Sequence, residues 1–336
     1  MPAGDLDDRA RAEVSVPIGV YRPGTSIASI EAYESFLGMP PGATVSYVLD
    51  FMLDQPTWAQ FEAGALQKTA NSPDTSADAT DWAGQIGGRT LMLGVPACVQ
   101  GTTWAAEAAG DNDAHWRALG TTLIGAGLGQ GVLRIGREFN GHWYPWKVTE
   151  GGQADYIAGY SHVVSVLRSV PGAAFTFMWN PAIGVGNLSR SGTESCYPGD
   201  DAVDLIGIDM YDFANPPGSY PAGAGRSSRQ QQAVWNTYLT EWDGLTGWQA
   251  LADDHKKPLA YPEWGLVLWR SGGDYLGGGD NPVLIREMAA WMRRNRAWMS
   301  AFWEDTGMGV LDPDDSGSRL VPVPRSRQAF LAEFGY

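Results

Sequence analysis

Imidazole and thiol ligands are scarce in this chain of 336 residues, which has four histidines and two cysteines. No two of His115, His142, His162 and His255 stand at metal-ligand spacing and no Cys-x-x-Cys pair occurs, so no zinc signature is present and neither a metal nor a cofactor is expected. Cys98 and Cys196 leave a disulfide, two free thiols or one of each open. The chain has no run of 18 apolar residues, which excludes a hydropathic membrane-spanning helix. Met1 to Val16 is acidic and polar and reads as neither signal peptide nor anchor, so secretion is expected only if a leader was removed. Basic residues are also few: 23 Lys and Arg face 38 Asp and Glu, for a net charge of −15. Nucleic acid and anionic membrane surfaces would be repelled over most of such a surface.

What is plentiful is aromatic. The 15 Trp and 13 Tyr often sit beside Gly, Pro or Asn in segments that read as loops. Flat aromatic faces stack well on other apolar faces, and Trp in a loop is less readily explained by the core than Trp in a periodic segment. Eight short apolar runs bounded by turn residues recur through the length: Pro17–Tyr21, Val45–Phe51, Thr90–Val95, Gly131–Glu138, Ala174–Asn180, Leu205–Met210, Leu259–Glu263 and Met299–Glu304. Between them lie helix candidates over Ile27–Leu37, Trp58–Thr69, His115–Ala126, Ala154–Ser169, Val234–Ala252 and Pro282–Arg296. Alternating strands and helices predict an α/β fold, a (β/α)8 TIM barrel over residues 16–336 as a single domain, after an N-terminal extension at 1–15. Asn71–Thr80, Pro216–Ser228 and Ser271–Asn281 read either as long loops shaping a site or as tolerated insertions.

Active sites of such barrels lie where the strands end. Strand four closes on Arg134-Ile-Gly-Arg137-Glu138-Phe-Asn-Gly-His142-Trp143-Tyr144-Pro-Trp146, and strand seven on Tyr261-Pro-Glu263-Trp264-Gly265. One glutamate therefore stands on each side of the mouth. Two such carboxyl groups about 5–5.5 Å apart can cleave a glycosidic bond with retention, one protonated and one ionised.

Glu138-Phe-Asn-Gly-His-Trp-Tyr-Pro-Trp146 resembles the acid/base segment of glycoside hydrolase family 26, and Tyr261-Pro-Glu263-Trp-Gly265 its nucleophile segment. Gly207-Ile-Asp209-Met-Tyr211-Asp212 is similar to the segment whose tyrosine supports the nucleophile. The resemblance implies a retaining, endo-acting hydrolase of β-mannan or β-glucan type, with Glu138 as acid/base and Glu263 as nucleophile. It further implies Tyr211 as a donor to Glu263 and a polysaccharide or oligosaccharide as partner; a monomer is expected. The Asn-Gly-x-Trp-Tyr-Pro-Trp form looks more like the glucan-cleaving branch. Trp143, Trp146, Trp264 and Trp303 are expected to contact sugar, with His142, Asn180 and Arg137 as hydroxyl-binding candidates. Where the family commonly has His before the acid/base, this chain has Arg137, whose cation would lower the pKa of Glu138 unless strand alternation turns it outward.

Rival assignments stay open at this level. Glu304 at the end of strand eight could pair with Glu138 instead, and Asp50 and Asp209 read as supporting or hydroxyl-binding acids. Arg134 is expected to hold carboxylates such as Asp50. A non-catalytic carbohydrate-binding barrel would also explain the aromatic residues. A phosphate-handling barrel would use Gly277-Gly278-Gly279, next to Asp280 and with no Lys nearby.

Overall fold

The computed structural model describes residues 15–22, 27–65, 82–84, 86–184, 186–213, 220, 226–240, 243–271, 274–305, 311 and 323–336. Eight strands follow one another in parallel: β1 (Ile18–Tyr21), β2 (Tyr47–Phe51), β3 (Thr90–Val95), β4 (Val132–Ile135), β5 (Thr176–Trp179), β6 (Leu205–Gly207), β7 (Leu259–Gly265) and β8 (Ser300–Trp303). Strand β8 pairs with β1, Ile18 opposite Ser300 and Tyr21 opposite Trp303, which closes the sheet into the expected (β/α)8 barrel. A two-residue strand, Met210–Tyr211, continues the β6 direction beside Trp264 and Gly265.

Successive strand residues point to opposite faces, so each strand feeds two cores. Leu49, Met92, Val132, Met178, Leu205, Ala260 and Ala301 pack together in one cluster that fills the barrel interior. Their neighbours, among them Val48, Leu93, Leu133, Phe177 and Phe302, join the larger cluster with the helices. Small inward positions admit large neighbours. A Cβ on Gly94 would lie 2.5 Å from the Phe51 ring and 3.1 Å from Cδ of Arg137, so that space belongs to Phe51 and the arginine stem.

Around the barrel run α1 (Ile27–Phe36), α2 (Trp58–Glu62), α3 (Trp104–Ala109), α4 (Asp113–Gly125), α5 (Gln153–Arg168), α6 (Arg190–Glu194), α7 (Ser228–Thr240), α8 (Leu245–His255), α9 (Pro282–Arg294) and α10 (Pro324–Phe334). Helix α9 starts where Asn281 accepts from the Val283 and Leu284 amides and Pro282 has no N–H to leave unpaired. The single helix expected over Val234–Ala252 is two. Gly244 precedes α8 in extended backbone, pressed so close to the Leu239 carbonyl that a Cβ would lie 2.6 Å from it. Residues 1–14, the whole of Asn71–Thr80 and the tail of the Trp58–Thr69 helix lie outside the described residues, as does most of Pro216–Ser228.

Strand four is shorter than the sequence suggests. It ends at Ile135, and residues 136–140 form a turn in which Gly136 and Glu138 adopt left-handed backbone, with φ of 58° and 51°. Arg137 is therefore not placed by strand alternation. Cys98 and Cys196 are both free and buried. Among the described residues no helix is long and apolar enough to cross a membrane. A hollow of about 680 Å³ opens at the opposite end of the barrel, beside Val16, Ile18, Val45 and Phe334. That end of such a barrel serves stability.

Candidate active site

A cleft of about 380 Å³ opens over the C-terminal ends of β4 to β8, lined by Glu138, Trp143, Tyr211, Glu263, Trp269 and Trp303 among others. The turn after β4 aims Glu138 into it. Left-handed backbone at a residue with a side chain costs about 1–3 kcal/mol and persists only where the surroundings impose it. Here the Glu138 amide donates to the Asn180 carbonyl at 2.7 Å, and Trp143 Nε1 donates to Glu138 Oε2 at 2.7 Å.

Glu263 is held from the other side. Arg134 Nη2 donates to Glu263 Oε1 and to Asp209 Oδ2, both at 2.7 Å, while Arg134 Nε donates to Asn180 Oδ1 at 2.5 Å. Tyr211 donates its hydroxyl proton to Glu263 Oε2 at 2.7 Å. Both oxygens of Glu263 thus accept from fixed donors. One carboxylate oxygen from each of Glu138, Asp209 and Glu263 lies within 4.8 Å of the others. A cation could bridge that spacing, but the Arg134 guanidinium already supplies positive charge to two of the three.

Crowded acids cannot all ionise. Burial, and next the negative field of Glu263, push the Glu138 carboxyl up to about 7, against the lowering influence of Arg137, the Trp143 hydrogen bond and Arg134. Burial also raises Asp209 well above the usual aspartate range, with Arg134 opposing. The folded state therefore holds the Glu138 proton more tightly than the unfolded chain does. Its contribution to stability is complete below the ordinary glutamate value of 4.5, fades as pH rises, and is lost above about 7. Glu138→Gln, which cannot ionise, is expected to be more stable than wild type above pH 7 by up to about 3 kcal/mol. The gap should vanish near pH 4 in thermal melts taken across that range, and a pH-independent difference would contradict the shifted carboxyl.

Several expected sugar contacts are displaced. Trp146 and Trp264 do not reach the cleft: both indoles are fully buried, Trp146 Nε1 donating to the Arg137 carbonyl and Trp264 Nε1 to Ser300 Oγ. Asn180 is buried too, and spends its side chain on Arg134 and on the Pro181 and Gly207 carbonyls. His142 is exposed, edge-on against the Trp143 ring and outside the cleft lining. Arg137 is buried rather than outward-facing. Its guanidinium lies over Phe51 and Tyr144 at 4.2 and 4.6 Å, with Nη2 donating to Asp54 and to the Tyr144 hydroxyl, both at 3.1 Å. Held there, it lowers the Glu138 pKa less than burial and Glu263 raise it.

Trp303 and Trp143 do line the cleft. Trp303 stacks on Tyr21 with centroids 3.8 Å apart, and Trp143 is 39 % exposed. Among the rival acids, Glu304 is fully buried against Arg22 at 3.0 Å and accepts from the Leu311 amide, so it cannot meet Glu138. Arg134 holds Asp209 and Glu263 in place of Asp50. Gly277 and Gly278 pack against Asp212, leaving no open anion cradle. Asp305, which like Glu304 closes the eighth apolar run and reads from sequence as a supporting or hydroxyl-binding acid, and Trp269, just after a strand end, also line the cleft. Tyr144 and Phe213 line it without a role expected from sequence; Tyr144 lies within the strand-four motif, so adjacency is the available signal.

Residues 131–221 match the sequence model of Glycosyl hydrolase family 26. A mannan endo-1,4-beta-mannosidase of Bifidobacterium adolescentis is 33% identical over 82 residues, covering 24% of this chain and 8% of that protein. Endoglucanase H of Acetivibrio thermocellus is 33% identical over 87 residues, covering 24% and 9%. The match thus spans less than a tenth of either relative. In fold, the chain is similar to a modular endo-beta-1,4-mannanase from Cellulomonas fimi, with a TM-score of 0.62 at 18% identity, over 98% of this chain and 72% of that one. The catalytic domain of an endo-beta-1,4-mannanase from Bacillus sp. JAMB-750 gives 0.59 at 12% identity, over 97% and 88%.

Proposed function

We propose, for a chain that belongs to glycoside hydrolase family 26, that it is a retaining endo-acting hydrolase of a neutral β-linked polysaccharide of β-mannan or β-glucan type. One observation carries the reading: Glu138 and Glu263 face each other with oxygens within 4.8 Å, burial and the nearby Glu263 charge push the Glu138 carboxyl up to about 7, and both Glu263 oxygens accept from Arg134 and Tyr211. That separation fits the retaining geometry of about 5–5.5 Å between carboxyl groups rather than the inverting one of about 6.5–9.5 Å. Glu263, fixed by Arg134 and Tyr211, attacks the anomeric carbon while Glu138 protonates the departing glycosidic oxygen. Glu138 then takes a proton from the water that releases the glycosyl-enzyme.

The described cleft lining contains aromatic rings and carboxylates and no Lys or Arg, which favours a neutral sugar over an anionic one. The relatives' names, a mannosidase and an endoglucanase, fit the same substrate range. A reducing-sugar assay on mixed-linkage β-glucan, β-mannan and xylan tests the proposal. Release from at least one polymer, lost in both Glu138→Gln and Glu263→Gln, is the expected result; binding without release would make the chain a carbohydrate-recognition barrel instead.

A further inference from the structure

Described residues of two long loop segments, Pro216–Ser228 and Ser271–Asn281, meet at one buried carboxyl. Asp212, next to Tyr211, is fully buried. Its Oδ1 accepts from the Tyr220 hydroxyl at 2.7 Å, in the loop after β6, and its Oδ2 from Asn281 Nδ2 at 2.8 Å, at the end of the loop after β7. Asn281 Oδ1 caps α9, so this side chain cannot turn away without uncapping the helix. Gly278 lies so close that a Cβ there would fall 2.0 Å from Asp212 Oδ2. Further bonds strengthen the joint: the Gly278 amide donates to the Asp212 carbonyl at 3.2 Å, Arg226 Nε to the Gly277 carbonyl at 2.7 Å, and the Tyr238 hydroxyl to the Phe213 carbonyl.

This joint stands directly behind part of the cleft lining. Phe213 follows Asp212 in the chain and bridges to Gly277 in antiparallel register. Trp269 sits on the other arm of the loop after β7, which closes on itself where Leu276 donates to the Trp269 carbonyl at 2.8 Å and Gly279 to the Val267 carbonyl at 3.3 Å. The two rings meet with centroids 5.7 Å apart, and both line the cleft. Trp269 is 48 % exposed, so its own burial does little to fix it.

Burying a carboxyl among neutral donors is costly, and burial pushes Asp212 up to about 7. Both of its forms keep the two bonds, because a hydroxyl rotates: the ionised carboxylate accepts from Tyr220 and the protonated one donates to it. The catalytic pair is held by other residues, Glu263 by Arg134 and by Tyr211, whose strand pairs with Trp264 and Gly265. Resting on the hydrolase reading, we propose that Asp212 is a positioning residue: by tying the loop after β6 to the loop after β7 it holds Phe213 and Trp269 as one wall for the polysaccharide, and so acts on substrate binding rather than on bond cleavage.

Initial rates on mixed-linkage β-glucan and β-mannan are compared for wild type, Asp212→Ala, Asp212→Asn and Phe213→Ala/Trp269→Ala with and without Asp212→Ala, each below its melting temperature. Asp212→Ala is expected to raise KM about fivefold on the cleaved polymer, the worth of one misplaced aromatic contact, with kcat within about twofold of wild type. Asp212→Asn, which copies the protonated carboxyl, should restore KM to within about twofold. Where both rings are already gone, Asp212→Ala should add less than about twofold. Should Asp212→Ala not fold, Tyr220→Phe removes one tie at nearly constant volume and is expected to raise KM about threefold. Unchanged KM in the folded variant, a fall in kcat alone, or a full further loss without the two rings would overturn the proposal. The same variants carrying Glu138→Gln are titrated with cellohexaose and mannohexaose, and Kd should follow the pattern of KM. A wild type that releases sugar from neither polymer overturns the hydrolase reading, whereas a Kd that Asp212→Ala leaves unchanged overturns this one.

Discussion

Replacing Glu263 with alanine is expected to lower kcat at least about a thousandfold on every substrate the wild type cleaves, and sodium azide is expected to restore part of it. The side chain removed accepts from Arg134 at Oε1 and from Tyr211 at Oε2, so its loss deprives the Tyr211 hydroxyl of its acceptor and leaves Arg134, still paired with Asp209, without its second carboxylate. A small anion is attracted to that gap. Azide entering from the Glu263 side displaces the leaving group directly, and from a β-linked substrate this yields an α-glycosyl azide. In Glu138→Ala the geometry reverses: azide meets the glycosyl-enzyme from the opposite face and yields the β-glycosyl azide. Swapped products would exchange the two roles, and no azide product in either variant would remove both residues from the reaction.

The second large effect concerns the acid. Glu138→Ala should lose about 10²–10⁴-fold in kcat/KM where the leaving group is a sugar, which departs only when protonated. A 2,4-dinitrophenyl glycoside, whose phenolate leaves unaided, should keep most of its kcat/KM. The pH profile supplies a further sign. Glu138 must be protonated for the first step, so the wild-type kcat/KM should fall as pH rises through about 7, where burial and Glu263 have moved its carboxyl. That alkaline limb should disappear in the variant. Equal losses on both leaving groups would show that Glu138 binds rather than protonates.

The barrel was legible because hydrophobic periodicity is a local signal, and each of the eight strands falls on one of the eight apolar runs. The two glutamates were singled out because they close the fourth and seventh apolar runs inside aromatic segments; in the structure Glu138 stands in the turn after β4 and Glu263 within β7. What pattern alone misplaced was orientation. Trp146 and Trp264 flank catalytic-looking glutamates in sequence, but the turn after β4 and the pleat of β7 rotate them into the packing between barrel and helices. Arg137 was read through strand alternation, which fails once Gly136 and Glu138 leave the extended conformation. The pairing of Arg134 with Asp209 and Glu263 joins residues 75 and 129 positions apart, and such partners are fixed only by closure of the barrel. A sequence shows that Trp143 lies five residues after Glu138; it does not show that the indole N–H holds the carboxylate.

The configuration of the first-formed product tests the paired-carboxylate account most directly. Proton NMR of the anomeric signals, recorded in the first minutes of hydrolysis before mutarotation, is expected to show the β-anomer growing first from a β-linked substrate. An α-anomer appearing first would mean a single displacement by water, and would contradict a glycosyl-enzyme on Glu263.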